Sequence, residues 1–141
     1  MIRFQIILTV YSNKSLIFKK IIIKEYIMNS LKANILNSIC LIAVGIWGYL
    51  EATSSTALIP VIFGWALLFC SPGLKKENKV IAHVAVLLTF VCLLGLFMPL
   101  KGTIEREETT GVVRVSVMIL TSIIAMVYFI KSFIANRKAR K

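Results

Sequence analysis

Groups that do chemistry are scarce in this chain. It has one histidine and three cysteines, and its six acidic residues stand against 17 lysines and arginines. Cys40, Cys70 and Cys92 are far apart, so no C-x-x-C pair or Cys/His cluster exists to hold zinc or exchange thiols. They read as small apolar packing residues. No acid–base pair and no nucleotide-binding motif stands out, which sets a membrane enzyme aside and leaves no cofactor to expect. Polar sequence is also in short supply. Hydrophobic residues make up 58% of the chain and the mean hydropathy is +0.86, well above the roughly half-apolar composition of soluble domains. An ordinary soluble domain is excluded, and the solvent for the outer surface must be lipid.

What is present is a set of four apolar runs. A helix needs about 20 mostly apolar residues to cross roughly 30 Å of hydrocarbon. The runs fall at about 33–50, 53–70, 80–100 and 112–134. They are continuously apolar rather than alternating, which argues for helices against a β-barrel. The fold expected is an all-α integral membrane bundle of four helices in two hairpins, forming one domain over 28–141. Ser54, Ser55 or Thr56 is placed to cap the second helix, with Pro60 in its first turn. Ser71-Pro72-Gly73 reads as the stop of that helix. Met98-Pro99 reads as the exit of the third, followed by a polar connector from Lys101 to Gly111.

Charge placement sets the expected orientation. Lys32, then Lys75, Lys76 and Lys79, then Lys131, Arg137, Lys138, Arg140 and Lys141 fall on one side if the N-terminus is inside. Only Lys101 and Arg106 fall clearly on the other, with Arg114 near the boundary. Basic flanks stay in the cytoplasm, so both termini are expected inside. The net charge of +11 then reports topology and contact with anionic lipid. It does not point to nucleic acid, because the basic residues sit at span edges.

Residues 1–27 differ from the rest. They contain no Ala, Gly, Pro, Trp, Cys or His, and Phe4–Val10 imitates a signal core with no cleavage site after it. Two readings compete: a leader outside the native protein, with Met28 as the working start, and a cationic interfacial helix. The first is preferred.

Five polar residues are candidates for a functional or structural role. His83 lies shallowly in the third span, where it is either a relay group or an interfacial histidine; the interfacial reading is preferred. Glu51 closes the first span and Arg114 opens the fourth, so an N-in arrangement puts both at the outer surface as a possible pair. Asn34 and Asn37 belong to a stripe with Ser38, Leu41, Gly45 and Gly48, spaced by three or four. Small and polar residues let membrane helices approach closely. Arg114, Met118, Thr121, Ser122 and Ala125 form a similar stripe on the fourth span. Internal packing is the preferred reading of both stripes, ahead of a dimer face or a permeation path.

Gly45-Ile46-Trp47-Gly48-Tyr49-Leu50-Glu51-Ala52-Thr53-Ser54, followed by Ala57-Leu58-Ile59-Pro60 and Gly64, is similar to the G-x-x-G-Y-x-x-A-x-S pattern of the transmembrane protein 14 family. The region Leu74–His83, with its basic loop, and the Met98–Gly102 turn more closely resemble small bacterial four-span inner-membrane proteins of unknown function. That resemblance implies a bacterial inner membrane and brings no catalytic residues. In size and span count the chain also resembles small multidrug resistance transporters, but it lacks their membrane-embedded glutamate in the first span. The expected function is a non-catalytic accessory or structural membrane subunit; the alternative is a small homo-oligomeric transporter or permeation protein. The expected partners are the bilayer and either further copies or another membrane protein.

Overall fold

The structure is a computed structural model that describes residues 1–139. Arg140 and Lys141, two of the basic residues assigned to the tail, lie outside the described residues. Four helices dominate: α1 (Ile2–Ala52), α2 (Ile59–Lys75), α3 (Lys79–Glu105) and α4 (Thr109–Ala139), with a short 3₁₀ turn at Ser55–Leu58 ahead of α2. No strand occurs among the described residues. Each is long and apolar enough to cross a bilayer, α2 with its 3₁₀ turn included. A chain in hydrocarbon must satisfy its amides internally, and a helix does so within one segment.

α1 packs against α2 and α4, and α3 packs against the same two helices, which puts α1 and α3 at opposite corners. The core is lean. Leu41, Leu67, Ala85, Met118, Ala125 and Phe129 are buried at its centre, while Leu36, Ile62, Leu87 and Leu120 face outward. That inversion suits a molecule whose outer solvent is lipid. Close helix contact replaces bulk: a Cβ at Gly64 of α2 would stand 2.9 Å from the Ser38 carbonyl oxygen of α1. Only glycine lets the backbones come so near.

α1 is the outlier in length. Its 51 residues correspond to about 77 Å at helical rise, more than twice the hydrocarbon thickness. The side chains of residues 1–22 are all exposed, and burial begins at Ser30. The helix nevertheless runs without a break through this stretch.

Helix ends differ from the sequence expectations in three places. Ser71-Pro72-Gly73 does not stop α2, which continues to Lys75. Pro72 lacks the amide hydrogen that would bond the carbonyl four residues earlier, but its own carbonyl still accepts from the Lys76 amide at 3.2 Å and the last turn closes. Gly73 has a packing role instead, since a Cβ there would overlap the Ile81 side chain of α3. The turn comes later, at left-handed Glu77 (φ 58°). Likewise Met98-Pro99 does not end α3, which reaches Glu105, so the polar connector shrinks to Arg106–Glu108. Lastly, the start of α2 carries no side-chain cap, because residues 55–58 wind into the 3₁₀ turn. The side-chain cap that does form is on α3, where Asn78 Oδ1 accepts from the Val80 amide at 3.1 Å.

Candidate functional site

The polar side chains gather at three levels along the bundle. At the Glu51 end, the last turns of α1 present Trp47 and Glu51 four residues apart on one face. Trp47 Nε1–H donates to Glu51 Oε1 at 3.0 Å. From the second turn of α4, Arg114 Nη2 donates to Glu51 Oε2 at 2.5 Å. Its Nε–H donates to the Thr110 carbonyl at 3.3 Å, and its guanidinium carbon lies 5.4 Å from the centre of the Trp47 ring. One carboxylate therefore serves two donors, and the cation rests beside an aromatic face. Gly48 makes this crossing possible, because a Cβ there would come within 3.3 Å of Arg114 Nη1. The Arg114 side chain is 11% exposed and that of Glu51 46%, so the pair is half open and contributes modestly. Beside it lies a cavity of about 330 Å³, with Val44, Leu96 and Met118 among its apolar walls and Ser54, Thr103 and Arg114 among its polar ones.

At the opposite end, His83 is exposed. Its Nδ1 lies 2.7 Å from the Lys79 carbonyl; a carbonyl only accepts, so Nδ1 carries the hydrogen. The ring packs against Phe133 of α4 with centres 4.7 Å apart. It borders a second cavity of about 260 Å³, lined among others by Ser30, Leu74, Phe129 and Arg137. His83 and the Glu51–Arg114 pair are thus at opposite ends of the bundle and form no common site.

Between the two ends lies a wholly buried layer of neutral polar groups. Asn34 Nδ2 donates to the Leu67 carbonyl at 2.8 Å and to Ser71 Oγ at 3.1 Å, tying α1 to α2. Ser122 Oγ donates to Asn37 Oδ1 at 3.1 Å, tying α4 to α1. Nearer the His83 end, Ser30 Oγ lies 3.0 Å from the Tyr128 carbonyl and 2.9 Å from that of Tyr26. Ser38 and Thr89 turn back onto their own helices, to the carbonyls of Asn34 and Ala85. Two atoms in this layer, Asn34 Oδ1 and Asn37 Nδ2, have no hydrogen-bond partner among the described residues.

The structure therefore joins Glu51 to Arg114 and sets Asn34 and Asn37 in one layer, each bonded to a different neighbouring helix. Sequence reasoning missed Ser30, Ser71 and Thr89 as members of the buried polar set. Ser30 was findable, since it continues the Asn34 stripe one turn earlier. Thr89 is a lone hydroxyl in an apolar run, a weaker signal. Ser71 was read as part of a helix stop. No family model, no curated protein and no solved structure matches this chain.

Proposed function

We propose that this chain is a non-catalytic, multi-pass membrane protein acting as an accessory or structural membrane subunit. The observation that carries this reading is how the buried polar groups are used. The bonds Asn34–Leu67, Asn34–Ser71 and Asn37–Ser122 fasten α1 to two neighbours instead of facing an accessible site. Amides and hydroxyls of this kind hold helices together where the hydrophobic effect gives no preference between neighbour and lipid. In this reading α1–α2 and α3–α4 are two hairpins in a bacterial inner membrane, with both termini cytoplasmic. The Glu51–Arg114 pair then lies at the outer surface and the Lys75–Lys79 loop at the inner one, in keeping with retention of basic loops. The partners in this reading are lipid and another membrane protein, further copies of the chain being the partners in the second reading below, with no role for nucleic acid. Crosslinking in native membranes followed by purification tests this. An accessory subunit is recovered with a second membrane protein in fixed ratio; recovery of self-crosslinked chains alone rejects it.

A specific observation favours a second reading, a small permeation protein. Cavities enter the bundle from both ends, and the polar layer lies between them. Recovery as a homo-oligomer alone supports that alternative.

A further inference from the structure

Before Ser30, α1 stays beside α4 for about three more turns. The contact of Ser30 Oγ with the Tyr128 carbonyl at 3.0 Å sets an antiparallel register, so earlier residues of α1 face later residues of α4. Between them lies a cleft of about 380 Å³ that neither functional reading uses. Its lining repeats one spacing twice. α1 contributes Lys19, Ile22, Ile23 and Tyr26, and α4 contributes Lys131, Ile134, Ala135 and Lys138. Each set follows i, i+3, i+4, i+7, which is one face of a helix. Both faces are apolar in the middle and polar at the two ends, about 10 Å apart at helical rise. The register brings Lys19 toward Lys138 and Tyr26 toward Lys131. No acidic side chain lines the cleft, and its lysines form no ion pair among the described residues.

We propose that this cleft binds one anionic phospholipid, its phosphate among Lys19, Lys131 and Lys138 and its acyl chains over Ile22, Ile23 and Ile134. Like charges gathered without a carboxylate repel one another, and a phosphate relieves them through charge-assisted hydrogen bonds. The Tyr26 hydroxyl is a further donor. Basic pockets between membrane helices recognise lipid headgroups in this way. The apolar middle favours a lipid over a free phosphate or an acidic peptide, which would leave the exposed Ile22 and Ile134 in water. Position agrees. Lys131 and Ile134 close the fourth apolar run, where hydrocarbon gives way to headgroups. α1 continues unbroken through residues 19–26, which keeps them beside α4 instead of flat on the membrane. Those residues, which the sequence alone marks as part of a leader, then belong to the working protein. The site rests on neither functional reading.

The full chain in nanodiscs of equal phosphatidylcholine and phosphatidylglycerol supplies the test, its retained lipid identified by native mass spectrometry. The unaltered chain is expected to retain phosphatidylglycerol several-fold over phosphatidylcholine. Joint Lys19→Gln, Lys131→Gln and Lys138→Gln should abolish that preference. Joint Lys75→Gln, Lys76→Gln and Lys79→Gln removes as much charge from the loop and should keep it. All six lysines are exposed, so the bundle itself is left intact. No preference in the unaltered chain overturns the site, and so does an equal loss in both variants, which would make the effect one of diffuse charge. Inorganic phosphate or a glutamate-rich peptide should displace the lipid no better than potassium chloride of the same ionic strength. Selective displacement by either assigns the cleft to that class and overturns the lipid as its occupant.

Discussion

Gly64 and Gly95 are both helical glycines in apolar helices, and they should respond oppositely to the same substitution. A Cβ at Gly64 meets the Ser38 carbonyl at 2.9 Å and Leu41 Cβ at 3.2 Å, whereas nothing lies within 4 Å at Gly95. Backbone cannot step aside as a side-chain tip can. Gly64→Ala is expected to destabilise by about 1–3 kcal/mol through overpacking. Gly95→Ala should be neutral or stabilise by up to about 1 kcal/mol through helix propensity. Thermal unfolding of the two variants in the same detergent checks this, and equal shifts would refute it. Thr53 makes a third case. It ends α1 in the left-handed region at φ 46°, where a β-branched side chain is strained by about 1–2 kcal/mol. Its amide bonds the Tyr49 carbonyl at 2.9 Å, a bond that glycine keeps. Thr53→Gly should therefore raise the unfolding midpoint by a few degrees; a lowered midpoint means the threonine side chain holds the turn in some other way.

At the scale of the helix, the Glu51–Arg114 pair joins the end of α1 to the start of α4, and its worth can be measured apart from its parts. A double-mutant cycle with Glu51→Gln and Arg114→Gln should give a coupling of about 0.5–1 kcal/mol, as for a half-exposed pair. Additive single effects would show that Arg114 is held by Thr110 and Trp47 alone. The four helices and their approximate positions were legible because apolar length is a strong signal in lipid. Their ends were not. Pro72 and Pro99 read as breaks, yet both are carried inside helices, each forfeiting one hydrogen bond to the carbonyl four residues earlier. The Asn34–Asn37–Ser38 face was legible from spacing by three and four. Its bonding partners were less so: which of Ser71, Thr89 and Ser122 reaches across depends on helix rotation and rotamer, which no residue pattern specifies.

For the whole molecule, the proposed orientation in the bilayer rests on loop charge. A cysteine placed at Glu105 or Glu108 should react with a membrane-impermeant reagent applied from outside, and one placed at Lys76 should react only after permeabilisation. The reverse pattern would mean that basic charge does not govern insertion, since the basic residues of 1–24 flank the first span on the same side as Lys32 and favour the same orientation. The buried ties within the bundle also set a schedule for its assembly. Asn34 finds its partners in α2 only 33 and 37 residues further along the chain, whereas Asn37 waits for Ser122, 85 residues away. At typical rates of protein synthesis that second interval is on the order of ten seconds. Throughout it the first span stands in lipid with an amide that has not met its helix. During that delay a nascent chain is most open to an insertase, or to the wrong neighbour. Anything that slows delivery of the last helix lengthens the exposure.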